Sequence, residues 1–201
     1  MTWIRTIAPA DADGKLKTLY DRIAGTGGQV DNILKAHALR PHTLEGHMAL
    51  YKSVLHHFGN SLDKWILEAV GVTVSQINGC SYCVQHHYTG MKRLLQDDAR
   101  AEAIKAAIVA DAPEQALEGK ALAALRYAAK LTRAPAAMLE ADIAALRAVG
   151  LEDGEILEIN QVAGYFAYAN RTILGLGVTT AGEDIGLAPS DSDTPDDWGH
   201  Q

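Results

Sequence analysis

Helical periodicity is the feature that most constrains the fold of this chain. Apolar residues recur with a period near 3.6 along most of its 201 residues, whereas alternating runs and hairpin turns are scarce. Glycine, proline and asparagine divide the pattern into separate helices. We therefore predict an all-α fold.

Short breaks separate the predicted helices. We expect an extended start up to Pro9 and a plain connector at Gly25–Gly28, because no strand precedes these glycines as a phosphate-binding loop requires. Asn78 and Gly79 form a further break, since both tolerate the left-handed conformation of a helix C-cap. We predict helices over 11–25, 32–39, 41–58, 61–77 (with Ser61 as N-cap) and 80–95, then helix starts at Asp97, Pro113, Pro135 and Glu152 and a long last helix over 155–173.

The length of the chain suits one domain. We predict a single all-α domain over residues 1–182, whose motif-bearing core covers about 41–95. Residues 183–201 are acidic and contain proline, so we predict a flexible C-terminal tail unless Trp198 docks.

Charge and apolar patterning exclude several classes of protein. The net charge of −7 and the lack of a Lys/Arg-rich run argue against a surface for nucleic acids or anionic membranes. The N-terminal residues lack the apolar core of a signal peptide, and charges interrupt every apolar stretch that could span a bilayer. We expect a cytoplasmic protein with no nucleic-acid or membrane partner.

The two cysteines of the chain, Cys80 and Cys83, form a C-x-x-C motif that is followed by His87. At 100° per residue the three side chains lie within about 60° of one another around a helix. A dithiol beside a histidine can cycle between thiol and disulfide, or it can bind a metal. The spacing by itself leaves both open.

The surroundings of the motif favour redox chemistry. Cys80 lies at the predicted helix N-terminus, where unpaired N–H groups stabilise a thiolate, Cys83 can act as the second thiol of a disulfide, and His87 can relay a proton. A zinc site would need Cys80, Cys83, His87 and either His86 or Glu68, and no second C-x-x-C or suitably spaced histidine pair occurs. We expect no metal and no cofactor.

Glu68 is the candidate acid–base group. It lies in an apolar helix before the break at Asn78 and Gly79. If the helices on the two sides of the break form an antiparallel hairpin, Glu68 returns beside the cysteine helix. Apolar surroundings raise the pKa of a carboxyl group, which suits general acid–base catalysis.

The remaining histidines receive structural interpretations. We expect surface positions for His37, His42 and His47, and capping or solvent contact for His56 and His57.

A weak internal similarity relates the segment around Glu68 to the segment around Glu158. Twelve residues after these glutamates stand Cys80 and Asn170, respectively. We interpret the match as chance similarity between two amphipathic helices.

The pattern Glu68, eleven residues, Cys80-x-x-Cys83-x-x-x-His87 resembles the signature of the AhpD-like alkylhydroperoxidases in the carboxymuconolactone decarboxylase superfamily. The break at Asn78-Gly79 is a fifth shared feature. The resemblance covers residues 68–87 closely, and the length of the chain resembles the branch of peroxidase-related proteins.

This resemblance implies an AhpD-like helical fold with the C-x-x-C motif at the N-terminus of a core helix. It implies an antioxidant, thiol-dependent peroxidase that reduces organic hydroperoxides without a prosthetic group and forms a homo-oligomer such as a trimer or hexamer. Cys83 then attacks the peroxide, Cys80 resolves the sulfenic acid as a disulfide, and Glu68 and His87 relay protons. A dithiol reductant or reductase partner restores the thiols.

Tyr82 departs from the best-known members, which carry a second histidine between the cysteines. A tyrosine hydroxyl, with a pKa of about 10, is a poor proton shuttle at pH 7, so we expect a weaker relay there. Two alternatives remain: a redox-sensing or binding module that uses the same disulfide to alter its assembly, and a zinc-stabilised domain.

Overall fold

A computed structural model describes residues 2–24, 28–194 and 197–200 of the chain. Within these ranges α-helices alternate with short 3-10 turns, and β-structure is limited to isolated bridges. The predicted all-α fold is confirmed, while the predicted connector at residues 25–27 lies outside the described residues. The helices are α1 (Gly14–Ile23), α2 (Asn32–Lys35), α3 (Pro41–Leu55), α4 (Lys64–Ile77), α5 (Ser81–Leu95), α6 (Asp98–Val109), α7 (Gly119–Arg133), α8 (Glu140–Ala148) and α9 (Asp153–Leu176).

The predicted N-cap at Ser61 is wrong. Helix α4 begins later, with Asp63 as its N-cap residue. The N–H and hydroxyl of Ser61 instead donate to Glu158 Oε1 at 2.8 and 3.0 Å, and the N–H of Leu62 donates to Glu158 Oε2 at 2.9 Å. A carboxylate far away in the chain therefore binds the hydroxyl that was expected to cap the helix.

Two predicted helix starts are 3-10 turns. Pro113–Gln115 and Pro135–Ala137 each form one such turn, and α7 and α8 begin a few residues later. The residue before a proline is biased away from the α conformation, which suits a turn rather than a continuous helix. Helices α2 and α3 also end earlier than predicted.

The contacts of the chain divide it into two compact units. The central unit covers Asn60–Asn170, and the terminal unit combines Met1–Gly59 with Arg171–Gln201. The C-terminal residues thus belong to the same unit as the N-terminal ones, and the domain over residues 1–182 stays a prediction.

Helix α4 is the core of the central unit. Every residue from Ile66 to Ser75 is buried, because α5, α6 and α7 pack around it. A helix that is apolar on all sides is stable only in such a position. Glu68 lies within this stretch, only 3 % exposed.

In the terminal unit the C-terminal segment docks on α3. Lys52, fully buried, donates from Nζ to Ser190 O and to Ser192 Oγ. Trp198 is buried with the Arg22 guanidinium 4.0 Å from its ring centroid, and the N–H of His200 donates to a backbone carbonyl of α1. The condition set for an ordered tail, docking of Trp198, is met by the described residues of this segment.

The predicted surface positions of His37 and His47 are wrong, because both are buried. Of the two roles predicted for His56, capping is confirmed, since this buried residue is the C-cap of α3. The three histidines form a cluster with Tyr51 and His200, in which the ring centroids of His37 and His47 lie 5.1 Å apart and those of Tyr51 and His56 lie 4.8 Å apart. We call these five residues the histidine cluster.

None of the helices among the described residues combines the length and apolar character needed to cross a membrane.

Candidate active site

The connection between α4 and α5 positions the first cysteine. Gly79 adopts a φ of 73°, its N–H donates to Gln76 O at 3.2 Å, and the N–H of Cys80 donates to Ser75 O at 2.9 Å. These two bonds form a Schellman motif that closes α4. Cys80 becomes the N-cap residue of α5, so that its side chain lies at the positive end of the helix dipole.

Glu68 and His87 form a hydrogen-bonded pair between α4 and α5. The distance from His87 Nδ1 to Glu68 Oε2 is 2.7 Å, and the side chains are 12 % and 4 % exposed. A hydrogen bond of this length fixes the orientation of the imidazole ring against the carboxyl group. The hairpin predicted to return Glu68 to the cysteine helix brings the two side chains together.

Gly90 makes room for this carboxylate. A Cβ atom at this position would lie 2.9 Å from Glu68 Oε1 and 3.0 Å from its carboxyl carbon. The glycine therefore lets Glu68 lie directly against the backbone of α5, one turn beyond His87.

Phe166 holds the imidazole from the side of α9. Its ring lies edge-on to His87 with centroids 4.5 Å apart and an interplanar angle of 90°. The same ring lies against the backbone of α4 at Gly71, where a Cβ atom would lie 2.3 Å from it. His87 is thus confined between a carboxylate and an aromatic ring.

The two thiols are buried and hydrogen-bonded to each other; Cys80 is 1 % and Cys83 is 3 % exposed. The hydrogen bond from Cys83 lowers the pKa of Cys80, although burial opposes this. The backbone N–H groups of Cys83 and Tyr82 and the side chain of Asn170 lower it further. The charge of the pair is therefore most stable on Cys80.

Cys83 shows the opposite behaviour. The hydrogen bond to Cys80, burial and the charge on Cys80 raise the pKa of Cys83 well above its ordinary value, while bonds with Asn170 and Ser75 lower it. Cys83 is therefore the weaker acid of the two thiols. The helix-dipole argument, which favours Cys80 as the more acidic thiol, agrees with this direction.

A polar network behind the thiols was missed in the sequence analysis. Asn78 Nδ2 donates to Asn170 Oδ1 at 2.9 Å, and Asn170 Nδ2 donates to Ser75 Oγ at 3.1 Å. Asn170 and Ser75 have no exposed surface. The available signal was the position of Asn170 twelve residues after Glu158, which we interpreted as chance.

Tyr82, the residue that departs from the family pattern, is buried rather than open to solvent. Its ring stacks on His86 with centroids 4.6 Å apart and an interplanar angle of 21°. Tyr82 and His86 therefore form a packed pair on α5.

The residues considered as zinc ligands are held in separate pairs and do not converge on one point. Cys80 bonds with Cys83, Glu68 bonds with His87, and His86 stacks on Tyr82. Across the part of the chain that the structure describes, no three His, Cys, Asp or Glu side chains are grouped to hold a metal ion.

All four predicted site residues lie on the hairpin of α4 and α5, as two pairs. His87 follows Cys83 by four residues, so the pairs are neighbours one turn apart on the same helix face. This arrangement joins a dithiol, whose charge is stabilised by a helix N-terminus, to a carboxylate–imidazole pair. It can exchange two electrons and move protons.

Comparison with known proteins identifies the family of the chain. The model of the carboxymuconolactone decarboxylase family matches residues 41–130. A peroxidase-related protein from Silicibacter sp. TM1040 is 30 % identical, with 90 % of this chain and 95 % of that chain covered and a TM-score of 0.75. No curated protein sequence matches the chain.

Two more distant structures share the fold. The alkylhydroperoxidase AhpD core, a peroxidase-related protein from Ralstonia eutropha JMP134, is 21 % identical, with 90 % and 93 % coverage and a TM-score of 0.79. A variant of the debrominase Bmp8 in complex with 2,3,4-tribromopyrrole is 16 % identical, with the same coverage and a TM-score of 0.72. On the family model and the 30 % identical relative, the chain belongs to the carboxymuconolactone decarboxylase family and is one of its AhpD-like members.

Proposed function

We propose that this protein is a thiol-dependent peroxidase that reduces organic hydroperoxides through a dithiol–disulfide cycle of Cys80 and Cys83. The observation that carries the proposal is the hydrogen-bonded pair of buried thiols, one with a lowered and one with a raised pKa, one helical turn from the Glu68–His87 pair. Membership of a family with peroxidase-related members supports it.

The first step uses the proton that the two sulfurs share. Transfer of this proton from Cys83 to Cys80 along their hydrogen bond exposes a Cys83 thiolate, which attacks the outer oxygen of ROOH. The O–O bond breaks, Cys83 becomes the sulfenic acid, and RO⁻ leaves and takes a proton to become ROH. We assign the attack to Cys83 because the resemblance to the AhpD-like alkylhydroperoxidases implies this role for it, although Cys80 is the more acidic thiol.

The second step closes the disulfide. The Cys80 sulfur, again as thiolate, attacks the sulfur of the Cys83 sulfenic acid, and hydroxide leaves and is protonated to water. A reducing dithiol then exchanges with the disulfide, is itself oxidised, and restores both thiols. The sum is ROOH plus one dithiol giving ROH, water and one disulfide.

Glu68 and His87 supply the protons in this scheme. We assign to His87, which is held by its hydrogen bond to Glu68, the transfer of the Cys80 proton to the departing oxygen. Tyr82 is packed on His86 and has no role in the relay we propose.

The burial of both sulfurs limits the partners of the reaction. Both the peroxide and the reductant must reach sulfurs that have almost no exposed surface. We propose a cytoplasmic dithiol as the reductant. We also propose that the protein is a homo-oligomer, either a trimer or a hexamer, whose size light scattering would measure.

A second candidate function follows from the same two electrons. The fold is shared with a debrominase, and a dithiol can also replace a carbon-bound bromine by hydrogen, with bromide leaving and the disulfide formed. A redox sensor that uses the disulfide to change its assembly is the third alternative. Turnover distinguishes the two enzymes from the redox sensor. The acceptor that is consumed, hydroperoxide or bromopyrrole, distinguishes the peroxidase from the debrominase.

The test compares hydroperoxide consumption with dithiothreitol as donor in the wild type, Cys83→Ser, Cys80→Ser and the exposed neighbour variant Ser81→Ala. We expect activity in the wild type and in Ser81→Ala only. Brief exposure of Cys80→Ser to peroxide with a sulfenic-acid trap should label Cys83. Turnover that survives in Cys83→Ser would overturn the mechanism, and consumption of tribromopyrrole but not of hydroperoxide would select the debrominase alternative.

A further inference from the structure

Asn170 is a buried polar residue at the dithiol that the peroxidase cycle leaves without a role. It lies on α9, with no exposed surface, some ninety positions along the chain from the cysteines. Its carboxamide contacts both sulfurs as well as Asn78 and Ser75. A polar group in such a place needs partners at both ends of its amide, and this one has them.

The two ends of the carboxamide are used differently. Oδ1 accepts from Asn78 Nδ2, a side chain at the C-cap of α4. Nδ2 therefore faces Ser75 and the sulfurs, where it can act only as a donor. If the amide were rotated by half a turn, Oδ1 would face the sulfurs and Nδ2 would face the Asn78 Nδ2 donor, which places two donors against each other.

The hydrogen bonds converge on the sulfurs. Ser75 receives a bond from Asn170 and interacts with Cys83, and Cys80 receives the backbone N–H groups at the start of α5. Within this set Asn170 is the member that contacts both sulfurs from outside the α4–α5 hairpin. Donors of this kind stabilise an anion and also fix its direction.

We propose that Asn170 is a positioning residue of the dithiol, whose amide N–H group donates to the sulfurs of Cys80 and Cys83, stabilises their shared negative charge and holds them in register for disulfide formation. This deepens the peroxidase proposal, and it applies equally to any reaction that uses the dithiol as a thiolate.

The test measures the acidity of the reduced dithiol directly, by the pH dependence of its alkylation by iodoacetamide. Asn170→Leu removes the donor at similar volume, and Asn170→Asp replaces it by a carboxylate. We expect the lower of the two thiol pKa values to rise by about one unit in Asn170→Leu, because one hydrogen bond to a charged sulfur is lost. In Asn170→Asp it should rise by more, because the new carboxylate repels the thiolate. The rate of disulfide closure at pH 7 should fall about tenfold.

Asn160→Leu is the matched control. This residue lies on the same helix and donates to Tyr127 Oη at 2.8 Å, away from the thiols. We expect a wild-type alkylation profile. Asn78→Ala removes the side-chain donor that holds Asn170 Oδ1, so it should raise the thiol pKa by a smaller amount. If the Asn170 variants do not fold, the alkylation profile of Asn78→Ala tests the proposal instead.

An alkylation profile unchanged in Asn170→Leu and Asn78→Ala would overturn the proposal, since a purely structural role alters melting temperature but not thiol acidity. The outcome is separable from that of the peroxidase proposal. If the thiol pKa shifts in the Asn170 variants but the wild type consumes no hydroperoxide, the role of Asn170 is supported and the peroxidase proposal is wrong. If the wild type is an active peroxidase but the thiol pKa is the same in the variants, the peroxidase proposal is supported and the role of Asn170 is wrong.

Discussion

Two buried polar clusters in this protein invite the same interpretation, and only one of them is arranged for chemistry. The dithiol site of the central unit contains a single imidazole paired with a carboxylate, His87 with Glu68, next to two thiols. The histidine cluster of the terminal unit contains four imidazoles that pack on one another and on Tyr51.

The difference lies in the partners. Burial lowers the pKa of His37, and burial together with His37 and His200 lowers the pKa of His47 to about 3, so these rings are neutral at pH 7. The Glu68 carboxylate is hydrogen-bonded to His87, and the two thiols precede His87 on the same helix. In the histidine cluster His56 also has a carboxylate nearby, with Asp191 Oδ1 3.6 Å from its Nδ1, but no cysteine belongs to that cluster. A reacting group beside the acidic partner, rather than the number of histidines, distinguishes the candidate active site.

The largest effect should follow removal of the carboxylate. Glu68→Gln keeps the shape of the side chain but removes its basicity, so we expect hydroperoxide turnover to fall by about 10²- to 10⁴-fold. His47→Gln, the corresponding loss in the histidine cluster, should leave turnover unchanged. Steady-state rates with matched protein concentrations measure both, and equal losses in the two variants would erase the distinction between the clusters.

The second effect is on stability and belongs to the terminal unit. Lys52→Met removes the buried ammonium group and leaves Ser190 O and Ser192 Oγ without this donor, so we expect a loss of about 1–3 kcal/mol in the free energy of unfolding. Urea unfolding measures it, with the exposed Lys17→Met as a control that changes little. Turnover at low temperature should be that of the wild type; a loss there would show that the terminal unit contributes to catalysis.

A smaller effect on activity tests how closely Glu68 is held. Gly90→Ala adds a methyl group 2.9 Å from Glu68 Oε1 and displaces the carboxylate from His87, so we expect turnover to fall about tenfold. Gly164→Ala on α9, where a Cβ atom meets nothing within 4 Å, is the control and should keep full activity. Activity that is equal in the two variants would show that Glu68 needs no such close approach.

The last effect is a pH dependence of stability. The folded pKa of His47, about 3, lies below the ordinary value of 6.5, so the unfolded state binds the proton first as the pH falls. Stability from this residue is complete above pH 6.5 and is lost below it by about 1.4 kcal/mol per pH unit. His47→Gln should remove this slope, measured as urea midpoints between pH 7 and pH 5. A slope that persists in the variant would assign it to other groups.

Local parts of the site could be predicted from the sequence because they depend on neighbours in the chain. The break at Asn78-Gly79 needs only two residues that tolerate a left-handed backbone, and the C-x-x-C spacing with His87 needs only helical geometry. The predicted return of Glu68 to the cysteine helix follows from the same break. Its burial follows from the apolar residues on both sides of it.

The parts that sequence reasoning missed depend on residues far apart in the chain. Ser61 is hydrogen-bonded to Glu158, and Lys52 donates to Ser190 and Ser192. His200 joins the histidine cluster, and Asn170 lies against the thiols from α9. No helical period or local motif encodes such pairings, because they arise only when separate helices pack.

The sequence by itself determined the helical class, the α4–α5 hairpin and the four residues of the candidate site, since local backbone preference and helical spacing are properties of short segments. Only the tertiary structure decided which histidines are buried, that the C-terminal segment docks, and that Asn170, Ser75 and Gly90 shape the site. Burial and long-range hydrogen bonds are properties of the packed chain, and they set the acidity of Cys80 and Cys83.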